Sequence, residues 1–295
     1  MATVQDLKRR IRSVSNTQKI TKAFELVASA RLRRAQARIE ALRPYADRML
    51  ELMAVTARAS GSVRLPLLDR REFSRVALLP VTADRGLAGA FNAQILRRAF
   101  ALERELRGEG LDVTWLAVGR RGRSSLSFRG YEVIQGWQGF SERPDYSDAQ
   151  AIAHRVAELY ANQEVDRVVV IYNHFESPLV QQVTTQDLLP IPENVIAGGD
   201  DDREQAALRG DFIYEPEPEQ ILERLLPVYV ETELYRALLE SAASEQGARM
   251  TAMRNASKNA NELISGLTLA MNRARQAEIT QEILEVVAGA DALTA

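Results

Sequence analysis

One segment of this chain sits where a phosphate-binding loop would belong. Thr82-Ala-Asp-Arg-Gly-Leu-Ala-Gly-Ala-Phe-Asn92 follows an apolar, β-branched run and precedes an amphipathic one. Its glycines, Gly86 and Gly89, do not form G-x-G-x-x-G, and Gly-Lys-Ser/Thr occurs nowhere in the sequence. The segment therefore reads as a tight strand-to-helix turn, with Asp84 and Arg85 holding the loop. The other reactive side chains are equally isolated. His154 and His174 are the only 2 histidines, and neither has H-E-x-x-H spacing. Ser124-Ser125 lacks the strand-turn-helix context of a nucleophile elbow. With 0 cysteines, disulfides, thiol catalysis and Cys-based metal sites are excluded. The chain reads as a non-enzyme with no cofactor and no metal site.

The elements that surround these residues are unequal in length. Steps of three and four from Val4 reach Leu7, Ile11, Val14, Gln18, Thr21 and Glu25. They continue through Ala28, Leu32, Ala35, Ile39, Leu42, Ala46, Met49 and Met53. This is a heptad seam with one polar break at Gln18, Thr21 and Glu25, where a displaced apolar stripe of Ile20, Phe24 and Val27 appears. It predicts a helix from about Thr3 to Ala57, interrupted only by Pro44, with Thr3 as N-cap and Asp6 three residues on. A second seam runs Ile221, Leu225, Val228, Thr232, Tyr235, Leu239, Ala242, Gln246, Arg249 and Met253, then Ala256, Ala260, Leu263, Leu267, Ala270, Ala274 and Ala277. It predicts a helix from near Pro218 to the C-terminus. At ~1.5 Å per residue the two would be rods of roughly 80 and 115 Å. A compact domain of this chain length would be only ~50 Å across. The two stripes are expected to bury each other in an antiparallel pair with charged flanks. The C-terminal stretch from Ile279 is apolar on most sides and outruns its partner, so another protein is expected to enclose it.

Between the arms the period changes. Arg75–Thr82, Val113–Gly119 and Val165–Tyr172 read as strands, and Leu179–Leu188 as an edge strand. Phe91–Gly108 and Ser147–Gln163 read as helices, the latter capped by Ser147 or Asp148. Strands separated by helices predict a small Rossmann-like α/β layer with some parallel pairing. Gly198–Gly210 reads as a polar loop. The expected organisation is 1–60 as the N-terminal coiled-coil helix, 61–210 as the α/β domain and 211–295 as the C-terminal coiled-coil helix.

The net charge of -2 argues against a nucleic-acid protein, but the charge is uneven. Residues 1–48 carry 12 Lys/Arg against 4 Asp/Glu, and residues 201–245 carry 12 Asp/Glu against 4 Lys/Arg. The two regions are expected to meet different surfaces, or to neutralise each other. No window of ~18 apolar residues exists to span a membrane.

Several motifs taken together resemble one family. Ile11–Ala28 resembles the N-terminal helix of the γ subunit of F-type ATP synthase, and Val81–Asn92 is similar to that family's central turn. Tyr214-Glu-Pro-Glu-Pro218 is similar to its re-entry motif. Ala243–Met253 and Asn272–Ala290 resemble its C-terminal signature. Phe24 stands where bacterial members usually carry Met, and Ala90 replaces a common Gly. The resemblance implies a bacterial-type central-stalk rotor, one copy per complex, on the cytoplasmic face of the plasma membrane. It implies α and β subunits around the helix pair, and ε and the c-subunit ring at its foot, with the membrane met only through these partners. Proton flow would turn the shaft, and its asymmetric faces would drive the β sites through their conformations.

By the same resemblance, Lys19, Ile20, Lys22, Phe24 and Val27 would face an acidic β loop. Arg275, Gln276, Thr280 and Glu282 would form an upper catch with β. Ile283 and Val287 belong to the apolar tip that would turn in a sleeve. Tyr214, Glu215 and Glu217 would face ε and the c ring. The alternative is a non-catalytic coiled-coil scaffold with an α/β head. A basic nucleic-acid arm would interleave aromatics with arginines, and residues 1–43 hold only Phe24. A nucleotide-dependent enzyme would need the site that the turn lacks.

Overall fold

The computed structural model describes residues 3–60, 65–178, 180–193, 195 and 215–294. The expected loop at Gly198–Gly210 and the residue Tyr214 lie outside these. The elements in chain order are α1 (Val4–Ser60), β1 (Arg75–Pro80), α2 (Phe91–Gly108), β2 (Asp112–Val118) and α3 (Arg120–Phe128). They are followed by β3 (Val133–Trp137), α4 (Tyr146–Ala161), β4 (Arg167–Phe175), β5 (Gln181–Leu189) and α5 (Pro218–Thr294). The chain divides into two compact units, Met1–Ala28 with Arg249–Ala295, and Ser29–Ala248.

The first unit is an antiparallel helix pair. Gln18 Nε2 donates to Asn261 Oδ1 at 3.4 Å, and Arg254 Nε to Glu25 Oε1 at 3.1 Å, so numbers rise on one helix as they fall on the other. Thr3 caps α1: the Asp6 N–H donates to its Oγ1 at 3.2 Å. Leu7, Thr21, Glu25 and Ala28 are buried, and Val4, Ile11, Val14 and Gln18 are half-buried. The polar break therefore does not shift the seam. Thr21 and Glu25 stay inside because each finds a partner there. Thr21 Oγ1 donates to the Gln18 carbonyl at 3.0 Å, and Glu25 accepts from Lys22 and Arg254. On α5 the seam departs from expectation. Leu263 is 57% exposed while Ile264 and Met271 are half-buried, and Ala270 is exposed. Both 3-4-3 and 4-3-4 spacings are heptads after Ala260, and packing selects the second.

The second unit is a three-layer α/β/α fold. Its five-stranded sheet has the order β3-β2-β1-β4-β5. All neighbours are parallel except β4 and β5, which pair antiparallel. Val76, Leu78, Trp115, Val169 and Ile171 face α2 and α3 on one side of the sheet. Ala77, Leu79, Leu116, Val168 and Val170 share the other side with α4, with Met49 and Met53 of α1, and with Leu226 and Val230 of α5. Alternate residues thus face opposite layers, and both layers bury them. That is why β1 reads as a continuous apolar run.

Four sequence expectations need correction. The short helix α3 and strand β3 were not expected. RRGRSSLSF is too polar for an apolar period to show, and β3 is a five-residue edge strand. The cap of α4 is Asp145 rather than Ser147 or Asp148, and Asp148 is the third helical residue of a reciprocal capping box. Pro44 does not interrupt its helix, and Pro227 likewise lies inside α5. Both prolines and the residues four positions earlier are exposed, so water can satisfy the carbonyls they leave free. Finally, α5 has no exposed charged flank from Tyr229 to Gly247. Glu231, Glu233, Glu240 and Glu245 are all buried. Here the helix is enclosed by the sheet and α4 as well as by α1, and partners hold the charges: Arg236 lies 2.6 Å from Glu233, and His174 Nδ1 lies 2.5 Å from Glu240 Oε2.

Candidate partner-binding surfaces

An open α/β sheet binds ligands outside the carboxyl ends of its strands, at the point where strand order reverses. Here that point lies between β1 and β4. Helix α5 fills it. Ser241 Oγ donates to the Val81 carbonyl at 3.4 Å, and Ser244 Oγ to the Asn173 carbonyl at 3.1 Å. Both serines are buried, and Ala242 and Ala243 between them keep the helix close to the strand ends. Sequence reading treated this stretch as one more part of a seam. The signal that could have found it is the run of small residues Ser241–Ser244 followed by Gly247.

The turn after β1 is closed as well. Asp84 Oδ1 accepts the Arg120 N–H at 2.9 Å, and its Oδ2 accepts the Gly139 and Ser141 N–H groups at 2.8 and 3.1 Å. One carboxylate thus ties the loops that follow β1, β2 and β3. It also occupies the N-terminus of α3, where an anion would otherwise sit. Arg85 lies 3.8 Å from Glu142. Asn92 turns back to accept the Ala83 N–H at 2.9 Å. Ala90, the N-cap of α2, has φ -86, so no glycine is needed there. We expect Asp84→Ala to destabilise this unit by about 2–4 kcal/mol, because three backbone donors lose a charged acceptor together. Urea unfolding followed by tryptophan fluorescence measures it.

The histidines have structural partners. His154 Nε2 lies 3.5 Å from Glu231 Oε1, and His174 pairs with Glu240 as above.

The residues assigned by resemblance fall on two surfaces of the helix pair. On α1, Ile20, Phe24 and Val27 are 56%, 44% and 47% exposed. They form an outward apolar stripe, flanked by Lys19 and Lys22. Beside it is an open groove of about 710 Å³ whose basic side chains are Lys19, Lys22, Arg254 and Lys258. Burial alone would raise the Glu25 carboxyl at its base, but the hydrogen bonds from Lys22 and Arg254 outweigh that and hold it below its ordinary value. On α5, every residue from 275 to 290 is exposed. Arg275, Gln276, Thr280 and Glu282 lie there, with Ile283 and Val287 57% and 51% exposed among Ile279, Leu284 and Val286. Thr280 Oγ1 donates back to the Gln276 carbonyl at 2.9 Å. Glu215 and Glu217 are exposed just before α5. No helix among the described residues is long and apolar enough to cross a membrane.

These features define a class: a chain whose α/β crevice is filled by its own helix and whose helix pair displays apolar and basic surface for partners. The comparisons give the family. A family model described as ATP synthase matches residues 3–293. The ATP synthase gamma chain of Rubrobacter xylanophilus is 46% identical over 297 residues, covering 100% of both chains. That of Desulforamulus reducens is 44% identical, covering 99% of this chain and 100% of its own. Among solved structures, a chain of the Tetrahymena thermophila mitochondrial ATP synthase central stalk and c-ring is 30% identical with a TM-score of 0.59, covering 81% of this chain and 99% of that one. A chain of the Euglena gracilis mitochondrial ATP synthase F1/c-ring assembly shares the fold at a TM-score of 0.69 and 18% identity, covering 98% and 94%. The chain belongs to the ATP synthase gamma chain family, the non-catalytic central-stalk rotor subunit of a membrane-associated F-type ATP synthase.

Proposed function

We propose that this chain couples rotation of a c-subunit ring to conformational change at three catalytic β sites, and that the surfaces above are its contacts. ATP chemistry stays on β. The chain contributes contact energy that differs between the states of each site, which is what coupling requires. Lys19, Lys22 and the Ile20, Phe24 and Val27 stripe meet an acidic β loop. Arg275, Gln276, Thr280 and Glu282 make a releasable polar catch with β. Ile283 and Val287 turn in an apolar sleeve formed by the α and β subunits, where few directional bonds resist rotation. Tyr214, Glu215 and Glu217 form the foot, facing ε and the polar loops of the c ring. Segments 1–60 and 211–295 serve as the axle and 61–210 as the α/β base. One copy serves each complex, on the cytoplasmic face of the bacterial plasma membrane, which it reaches only through its partners.

The observation that carries this reading is the uninterrupted exposure of residues 275–290, with apolar side chains as much as 72% exposed at Val286. A long, continuously exposed apolar surface of this kind is an interaction site. Each apolar side chain enclosed there contributes roughly 1.5–3 kcal/mol. The double variant Ile283→Asp with Val287→Asp buries two charges instead. Reconstituted with α, β, ε and the membrane sector in vesicles, it should lose ATP-driven proton pumping by more than about tenfold while its own circular dichroism is unchanged. Wild-type pumping by this variant would show that the exposed tip makes no contact that coupling needs.

A further inference from the structure

The second unit contains a cleft that none of the surfaces above uses. It has a volume of about 350 Å³ and lies between α4, α5 and the stretch Leu65–Leu67. That volume is within the range of small-molecule sites, roughly 300–1,000 Å³. Its walls are apolar: Leu65 and Leu67 on one side, Ala157 on the α4 side, Leu226 and Val230 on α5. Leu65, Leu67, Leu226 and Val230 are all buried, so the walls are fixed by the core behind them.

The rim is polar and its charges share one sign. Glu158, Glu223 and Glu231 line it, His154 is the only nitrogen-bearing side chain among the described lining residues, and no described Lys or Arg lines it. Glu158 is paired with Arg155, one helical turn earlier, at 3.3 Å. Glu223 makes no ion pair among the described residues. Glu231 is 6% exposed and is held by neutral donors: Tyr146 Oη at 2.7 Å and Gln150 Nε2 at 3.4 Å, with His154 Nε2 3.5 Å away. A buried carboxylate without a permanent cation beside it among the described residues leaves charge to be compensated.

We propose that this cleft binds a small amphiphilic cation, with an apolar body between Leu65, Leu67, Leu226 and Val230 and an ammonium or guanidinium head at Glu223 and Glu231. An anionic ligand would meet three carboxylates. A neutral one would use the walls and leave the rim unanswered. A hydrophilic cation would leave the walls wet. Only an occupant with both parts satisfies the whole cleft.

The test is thermal unfolding of the purified full chain with three probes of equal length: hexylammonium, hexanol and hexanoate. A ligand that binds only the folded state raises the midpoint in a saturable way. Hexylammonium should do so more strongly than hexanol, and hexanoate should have no effect. Added salt should narrow the gap between the first two. Glu223→Gln, at an exposed position that the fold does not need, should weaken hexylammonium binding about threefold and leave hexanol unchanged. Ala157→Phe, which fills the cleft, should abolish both responses. Equal responses to hexylammonium and hexanol, a response to hexanoate, or a hexylammonium response that survives Ala157→Phe would each overturn the assignment. None of these outcomes depends on assembly with α, β or the c ring, so the result stands apart from the rotor reading.

Discussion

Gly119→Ala should unfold the α/β unit or destabilise it by at least about 4 kcal/mol. Gly119 has φ +87 and ψ 142, a backbone conformation open in practice only to glycine. A Cβ built there would lie 2.0 Å from the Thr82 carbonyl oxygen and 2.6 Å from its carbon. Both are backbone atoms, so no side-chain rotation relieves the overlap. Nor can the backbone move easily. The Gly119 N–H donates to the Trp137 carbonyl at 2.7 Å, and the Thr82 N–H to the Val118 carbonyl at 2.9 Å. The ends of β1, β2 and β3 therefore meet at this residue. Gly110→Ala is the control. Gly110 has φ +83 with nothing within 4 Å of the added Cβ, so its cost should be about 1 kcal/mol, from left-handed backbone strain alone. Chemical denaturation of the two variants separates the steric contribution from the conformational one. Similar midpoints would show that the strand ends tolerate more movement than their hydrogen bonds imply.

Asp166→Ala should cost about 3–5 kcal/mol and flatten the acid limb of the stability curve. Asp166 is 5% exposed. Its Oδ1 accepts from Arg71 Nε at 2.8 Å, and its Oδ2 from Ser74 N, Ser74 Oγ and Arg75 N at 3.0, 2.7 and 2.9 Å. Burial raises its pKa, but the hydrogen bonds from Ser74, Arg75 and Arg71 outweigh burial and lower it from 3.8 to about 2. A depressed folded-state value means that the stabilisation is fully present above the unfolded value and disappears as pH falls through the folded one. The window is therefore pH 4 down to about 2, and the stabilisation lost there is of order 2 kcal/mol. Urea midpoints measured across that window should fall steeply for the wild type and much less for the variant. Arg71 will be exposed to the same loss. It also donates to the Tyr160 and Val165 carbonyls at 2.7 and 2.8 Å and stacks 4.5 Å from the Tyr160 ring centroid. Removing its carboxylate partner leaves a half-buried cation held only by neutral groups.

These two residues show which parts of the fold a sequence can reveal. The α1 seam from Val4 to Met53 was legible except at Gln18, Thr21 and Glu25, because a helix keeps one face inward over any length and apolar spacing reports that face directly. Strands β1, β2 and β4 were legible because both of their faces are buried, which enriches them in branched apolar residues. The outward stripe of Ile20, Phe24 and Val27 and the tip at Ile283 and Val287 were also visible, as apolar residues off the seam or beyond its partner.

The sequence by itself determined the helical arms and the change of period between them, since both rest on local spacing. The tertiary structure alone decided the heptad choice at Ile264, the burial of four glutamates on α5, the Asp84 tie across three loops and the filling of the β1/β4 crevice by Ser241 and Ser244. Each of those depends on groups more than 30 residues apart in the chain, as Asp84 is from Arg120, at a separation of 36. Periodicity records which face of an element is apolar. It carries no information about which distant donor will meet a given carboxylate.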